Sequence, residues 1–167
     1  MRPATTIART ACISLLLAAP LVCQEPPRDT LAVWVSGGIG AASEADVLTL
    51  ASVWFARHNV AIGLHTSLAV CIFCVEKHEI GIVVGYRPRS KWLKAVIGGG
   101  LASTGSHSNC LFSCDREPDS RGIQPIAAGE LTVSDGYVGI GFAWVAVLGN
   151  PAPYAGAAII VQLGRMP

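Results

Sequence analysis

Between Val60 and Val70 the chain reads VAIGLHTSLAV, a pattern that creates two unlike faces in an extended strand and none in a helix. In a strand, Val60, Ile62, Leu64, Thr66 and Leu68 fall on one side, and Ala61, Gly63, His65, Ser67 and Ala69 on the other. The pattern recurs further along. Ile80, Ile82, Val84 and Tyr86 alternate with Gly81, Val83 and Gly85, and Val138, Ile140, Phe142 and Trp144 alternate with Gly139, Gly141 and Ala143. A soluble sheet hides its bulky face and turns charged residues to water. Here the second face is mostly glycine, alanine and small polar residues, which make a poor surface against water.

Composition points the same way. Charged residues make up 14% of the chain and hydrophobic residues 51%, and 18 residues are glycine. An ordinary soluble domain carries about 25% charge. A formal net charge of +1 gives no reason to expect a nucleic-acid partner. Past residue 23 no run approaches the roughly 20 apolar residues that a membrane-crossing helix requires. The other structure that satisfies every backbone group in lipid is a closed barrel.

Eight segments fit its strands: Leu31–Gly40, Asp46–Arg57, Asn59–Val70, Glu79–Arg87, Trp92–Ser103, Ile123–Val133, Tyr137–Val147 and Tyr154–Arg165. Their lengths match the roughly 9–11 residues of a tilted transmembrane strand. The predicted fold is all-β, an eight-stranded antiparallel up-and-down transmembrane β-barrel. Its bulky face meets lipid and its small-residue face fills a narrow lumen. The second and eighth segments are apolar on both sides and leave their own orientation open. Gly98-Gly99-Gly100 lies within a strand and precedes no helix, so it is read as close barrel packing or a bend, not a phosphate loop.

The start of the chain reads as an export signal. Arg2 and Arg9 precede the short apolar run Ala11–Val22, and the polar Gln24-Glu25-Pro26-Pro27 follows. This divides the chain into a cleaved secretory signal peptide over 1–23, a short periplasmic linker over 24–30 and a barrel over 31–167. A retained anchor helix is the alternative. Lipidation of Cys23 is another, against which stands Val22 where such signals usually place Gly, Ala or Ser. An even strand count returns both termini to the periplasm. The periplasmic turns are then short (Arg57–Asn59, Pro88–Lys91, Ser134–Gly136), and the opposite connections include the longer Cys71–His78 and Thr104–Gly122. Trp34, Phe55, Tyr86, Trp92 and Tyr137 fall toward one rim and Trp144 and Tyr154 toward the other, as an interfacial belt would, or as ordinary packing would.

From Leu31 to Arg165 the chain resembles the small eight-stranded outer-membrane barrels, the group of the OmpA transmembrane domain and the OmpX and OmpW types. The resemblance rests on pattern and implies an outer-membrane location, with membrane lipid, lipopolysaccharide and the barrel assembly machinery as partners. The chain departs from the group at Gly164-Arg165-Met166-Pro167, where such barrels commonly end in an aromatic residue.

Few residues offer chemistry. Cys71, Cys74, Cys110 and Cys114 gather at one end of the strand map, and in an exported chain disulfides linking the two loops are expected. A metal site with His78 and His107 and a redox Cys-x-x-Cys are the competing readings. Lys94 and Glu130 are the charges set well inside strands, and a lumen ion pair between them is predicted, with His65 and Gln162 in the same polar cluster. His65 and Ser67 share a strand face, as in a lipid A deacylase, but on the side predicted to point away from lipid. The leading expectation is a non-enzymatic barrel without cofactor or metal, with a structural role or a ligand-binding surface at loops 71–78 and 104–122. A lipid A-modifying enzyme and a soluble secreted carrier of a small apolar ligand are the alternatives.

Overall fold

The computed structural model describes residues 31–43, 45–70, 75–88, 93–108, 120–149 and 153–165. The leader, Trp92 and the four cysteines at 71, 74, 110 and 114 lie outside these residues. Among the described residues there is no helix, and the regular elements are strands. They are β1 (Ala32–Ala42), β2 (Ala45–Arg57), β3 (Val60–Val70), β4 (Val75–Tyr86), β5 (Leu93–Ser108), β6 (Ser120–Ser134), β7 (Val138–Val147) and β8 (Tyr154–Arg165). Each pairs with the next, and β1 pairs with β8, closing an antiparallel up-and-down barrel. Closure leaves no free sheet edge around the girdle, so every strand there has two ladders for its backbone groups.

At the end that carries both termini, the β2–β3 and β6–β7 turns are tight, as predicted. His58 adopts a left-handed φ of 58° between β2 and β3, and Asn59 O receives the Arg87 N–H at 2.8 Å. Between β6 and β7, Gly136 at φ 76° allows Asp135 N to reach Val138 O at 3.0 Å.

The alternation resolves as expected. Ile62, Ile82 and Ile140 are 52%, 61% and 62% exposed, while Gly63 and Gly139 are buried inside. The structure also settles the two ambiguous strands. In β2, Leu48, Leu50, Ser52 and Trp54 point inward and Phe55 outward; in β8, Ile160 and Gln162 point inward and Ile159, Val161 and Leu163 outward. An exterior this apolar does not suit the soluble carrier, which needs polar residues there.

Three strands run further than the sequence suggested. The ladder continues to Val75 in β4, Ser108 in β5 and Ser120 in β6, with Val75 opposite Ser108 and Ser106 opposite Ser120. Much of the expected loops Cys71–His78 and Thr104–Gly122 is therefore paired sheet. Apolar alternation stops where the outward apolar band stops, at residues such as Glu76, Lys77 and Arg121, yet pairing still satisfies the backbone groups beyond it. The result is a three-stranded sheet projecting from the end opposite the termini.

Candidate functional site

The bore is filled by two layers of side chains. In the half nearer the termini, Trp34 of β1 lies beside Trp54 of β2, with ring centroids 6.0 Å apart and planes 16° from parallel. Gly63 of β3 leaves room for this stack, since a Cβ there would stand 2.6 Å from Trp54 Cδ2. Glu130 reaches across from β6. Its Oε2 accepts from Trp34 Nε1 at 3.2 Å and Ser36 Oγ at 2.7 Å; its Oε1 accepts from Trp54 Nε1 at 2.8 Å and from Ser52 Oγ. Trp54 Nε1 also lies 3.0 Å from Ser52 Oγ. Four neutral donors thus surround a carboxyl group that is 4% exposed. Arg87 closes this end, its Cζ 5.8 Å from the Trp34 ring centroid. Thr132 Oγ1 donates to Gln162 Oε1 at 2.6 Å in the same half.

In the other half, His65 Nδ1 of β3 lies 2.6 Å from Glu79 Oε1 of β4, and the Ser67 and Tyr154 hydroxyls bridge the bore at 2.5 Å. At the mouth Lys77 Nζ donates to Pro153 O at 3.1 Å.

The predicted polar cluster therefore divides. Glu130 bonds to β1 and β2, His65 to Glu79, and Gln162 to Thr132. Lys94 stands opposite Thr132 in the β5–β6 ladder, two rungs from the Val96–Glu130 pair. Glu79 had been placed at a strand end. Because β4 begins at Val75, Glu79 lies inside the barrel, and its shared parity with Gly81 and Val83 was the available signal. Of the aromatics that suit either a belt or ordinary packing, Trp34 and Tyr154 are buried in the lumen, whereas Phe55, Tyr86 and Tyr137 face outward. His65 and Ser67 face the lumen as expected, and the Ser67 hydroxyl is engaged by Tyr154 rather than presented to lipid. Among the described residues no group of three or more His, Cys, Asp or Glu side chains gathers as a metal site.

The exterior carries few polar groups, and two of its threonine hydroxyls turn back to the backbone. Thr66 Oγ1 donates to Glu79 O at 2.8 Å and Thr49 Oγ1 to Leu68 O at 3.3 Å. A hydroxyl satisfied this way costs little in a hydrocarbon environment.

No family model and no curated protein matches this sequence. Solved structures do match the fold. The N-terminal β-barrel domain of Pseudomonas aeruginosa OprF is similar at a TM-score of 0.64 and 12% identity, covering 83% of this chain and 99% of that one. Neisserial surface protein A is similar at 0.54 and 12% identity, covering 83% and 99%. Ail, the attachment invasion locus protein of Yersinia pestis, is similar at 0.53 and 8% identity, covering 83% and 100%. At these identities the likeness establishes the architecture: a closed eight-stranded barrel of the outer-membrane type.

Proposed function

We propose that this chain is a non-enzymatic, non-conducting barrel of the bacterial outer membrane, and that it anchors the projecting β4–β6 sheet at the cell surface for structural or binding purposes. The observation that carries the reading is the inversion of faces, with bulky apolar side chains outside and a packed, hydrogen-bonded interior. Such an exterior is costly in water over its whole girth and is what a hydrocarbon bilayer accepts. Trp34, Trp54, Glu130, His65 and Tyr154 occupy the lumen, which supports the non-conducting reading. The buried position of His65 and Ser67 is why the deacylase alternative is set aside.

Residues 1–23 act as the export signal in this scheme, and lipid, lipopolysaccharide and the assembly machinery are the partners. Disulfides among Cys71, Cys74, Cys110 and Cys114 staple the connections above the sheet. A ligand, where there is one, meets the polar sheet end and these connections.

The test is fractionation of the native envelope. The protein is expected in the outer membrane, with faster gel migration before heating than after. An epitope inserted between Pro118 and Asp119 should bind antibody on intact cells, whereas one placed after Pro167 should not. Added to planar bilayers, the pure protein should leave conductance at baseline. A detergent-free soluble monomer, or steady ion channels, would overturn the reading.

The lipid face makes a further prediction. Ile82→Arg, within the apolar band of β4, should cost about 2–4 kcal/mol of unfolding free energy in liposomes, whereas Tyr137→Arg at the rim should cost about 0–1 kcal/mol. Denaturant titrations of both variants in the same lipid would check the contrast, and equal costs would argue against a membrane around Ile82.

A further inference from the structure

The two layers of the lumen differ in how completely their polar atoms are satisfied. In the layer nearer the termini both indole N–H groups and both Glu130 oxygens are hydrogen-bonded. In the other layer, buried atoms of three side chains have no protein partner among the described residues: His65 Nε2, Glu79 Oε2, and both Nε2 and Oε1 of Gln124. All three residues are at most 2% exposed. The other two unpartnered side chains, Asn59 and Ser134, are only partly buried and sit at the tight turns, close to bulk solvent.

Three ladder steps join two of these residues: His65 pairs with Gly81, Gly81 with Ala102 and Ala102 with Gln124, so only a glycine and an alanine stand on the rung between the two long polar side chains. Glu79 and Thr104 occupy the next rung outward. The unpartnered atoms include acceptors (Glu79 Oε2 and Gln124 Oε1) and a donor (Gln124 Nε2), and a ring nitrogen such as His65 Nε2 takes either role. Whatever completes them must both donate and accept hydrogen bonds and be small, and buried polar groups in such a setting hold water.

We infer that the outer half of the lumen is a blind hydrated compartment, in which water is bound jointly by His65, Glu79 and Gln124. It exchanges with the cell exterior past the Lys77–Pro153 and Ser67–Tyr154 contacts. The Trp34–Trp54–Glu130 layer seals it from the periplasm.

The test uses the whole barrel, isotopically labelled and reconstituted in lipid nanodiscs, with magnetisation transfer from water read by NMR. Transfer is expected to the Gln124 side-chain amide and to the His65 ring. No transfer is expected to the Trp34 and Trp54 indole N–H groups over the same mixing time. In Gln124→Leu, transfer to the His65 ring should weaken. A dry Gln124 amide in the wild-type protein, or indoles as wet as His65, would overturn the inference, and neither reading depends on how the variant folds. The readout concerns lumen chemistry alone, so it stands or falls separately from the cellular location.

Discussion

Glu130→Ala is expected to lower the unfolding free energy by about 3–5 kcal/mol, summed over buried donors that lose the acceptor they share. The substitution takes away the acceptor shared by Trp34, Ser36, Ser52 and Trp54 and leaves four donors facing a methyl group. Each buried donor without a partner costs about 1–3 kcal/mol, and the costs overlap because the donors relax together. Glu130→Gln keeps one acceptor oxygen but turns an NH2 group toward groups that also donate, so about 2–3 kcal/mol is expected from the same reasoning. Denaturant titration in liposomes, with the heat-dependent gel shift as a second readout, would measure both. A cost under about 1 kcal/mol for Glu130→Ala would mean that the four contacts are incidental. Adding Lys94→Met to Glu130→Gln completes a double-mutant cycle. Coupling above about 0.5 kcal/mol would support the ion pair expected from the sequence, and additivity would leave Glu130 to its neutral donors.

The sequence made the barrel legible because one property, the size of alternate side chains, reports directly on which face meets lipid. It worked best where the contrast was greatest, in β3, β4 and β7. It was silent in β2 and β8, because inward Leu48, Leu50 and Ile160 are as bulky as outward Val47 and Val161. An eight-stranded lumen is closed by such side chains as well as by small ones, so hydrophobicity alone does not orient a strand. The site was only partly legible. Glu130 and His65 stood out as polar residues on inward faces, but their partners depend on which strands oppose each other across the bore. That relation is set by register and strand tilt, which neighbouring residues do not encode. Trp34 stayed ambiguous because an aromatic near a strand end suits a belt and a plug equally well, and only parity separates them. The extensions of β4, β5 and β6 were missed because, above the membrane, strands are held by backbone ladders and leave no hydrophobic signature.

Gly100→Val is expected to prevent the barrel from closing, while Gly99→Val leaves it intact. The two glycines are neighbours in β5 but face opposite ways. A Cβ on Gly100 would stand 2.8 Å from the Ile82 carbonyl carbon and 2.9 Å from Val83 Cα, backbone atoms of β4 that cannot retreat without parting the β4–β5 ladder. A Cβ on Gly99 points outward, and its nearest neighbour is Ile126 O at 3.6 Å, an ordinary contact. Overpacking a close contact costs about 1–3 kcal/mol where side chains can give way, and more where the obstacle is main chain. Gly100→Ala should fall in that range, and Gly100→Val above about 3 kcal/mol, enough to erase much of the stability of a typical domain. Gly99→Val, on a strand facing lipid, replaces a flexible residue with a good strand former and should be neutral or slightly stabilising. The measurement is refolding into lipid followed by the gel shift: the compact band should be lost for Gly100→Val and retained for Gly99→Val. Equal behaviour of the two would mean that inward glycines are not what lets β4 and β5 approach, and that the small-residue face has some cause other than the narrowness of the lumen.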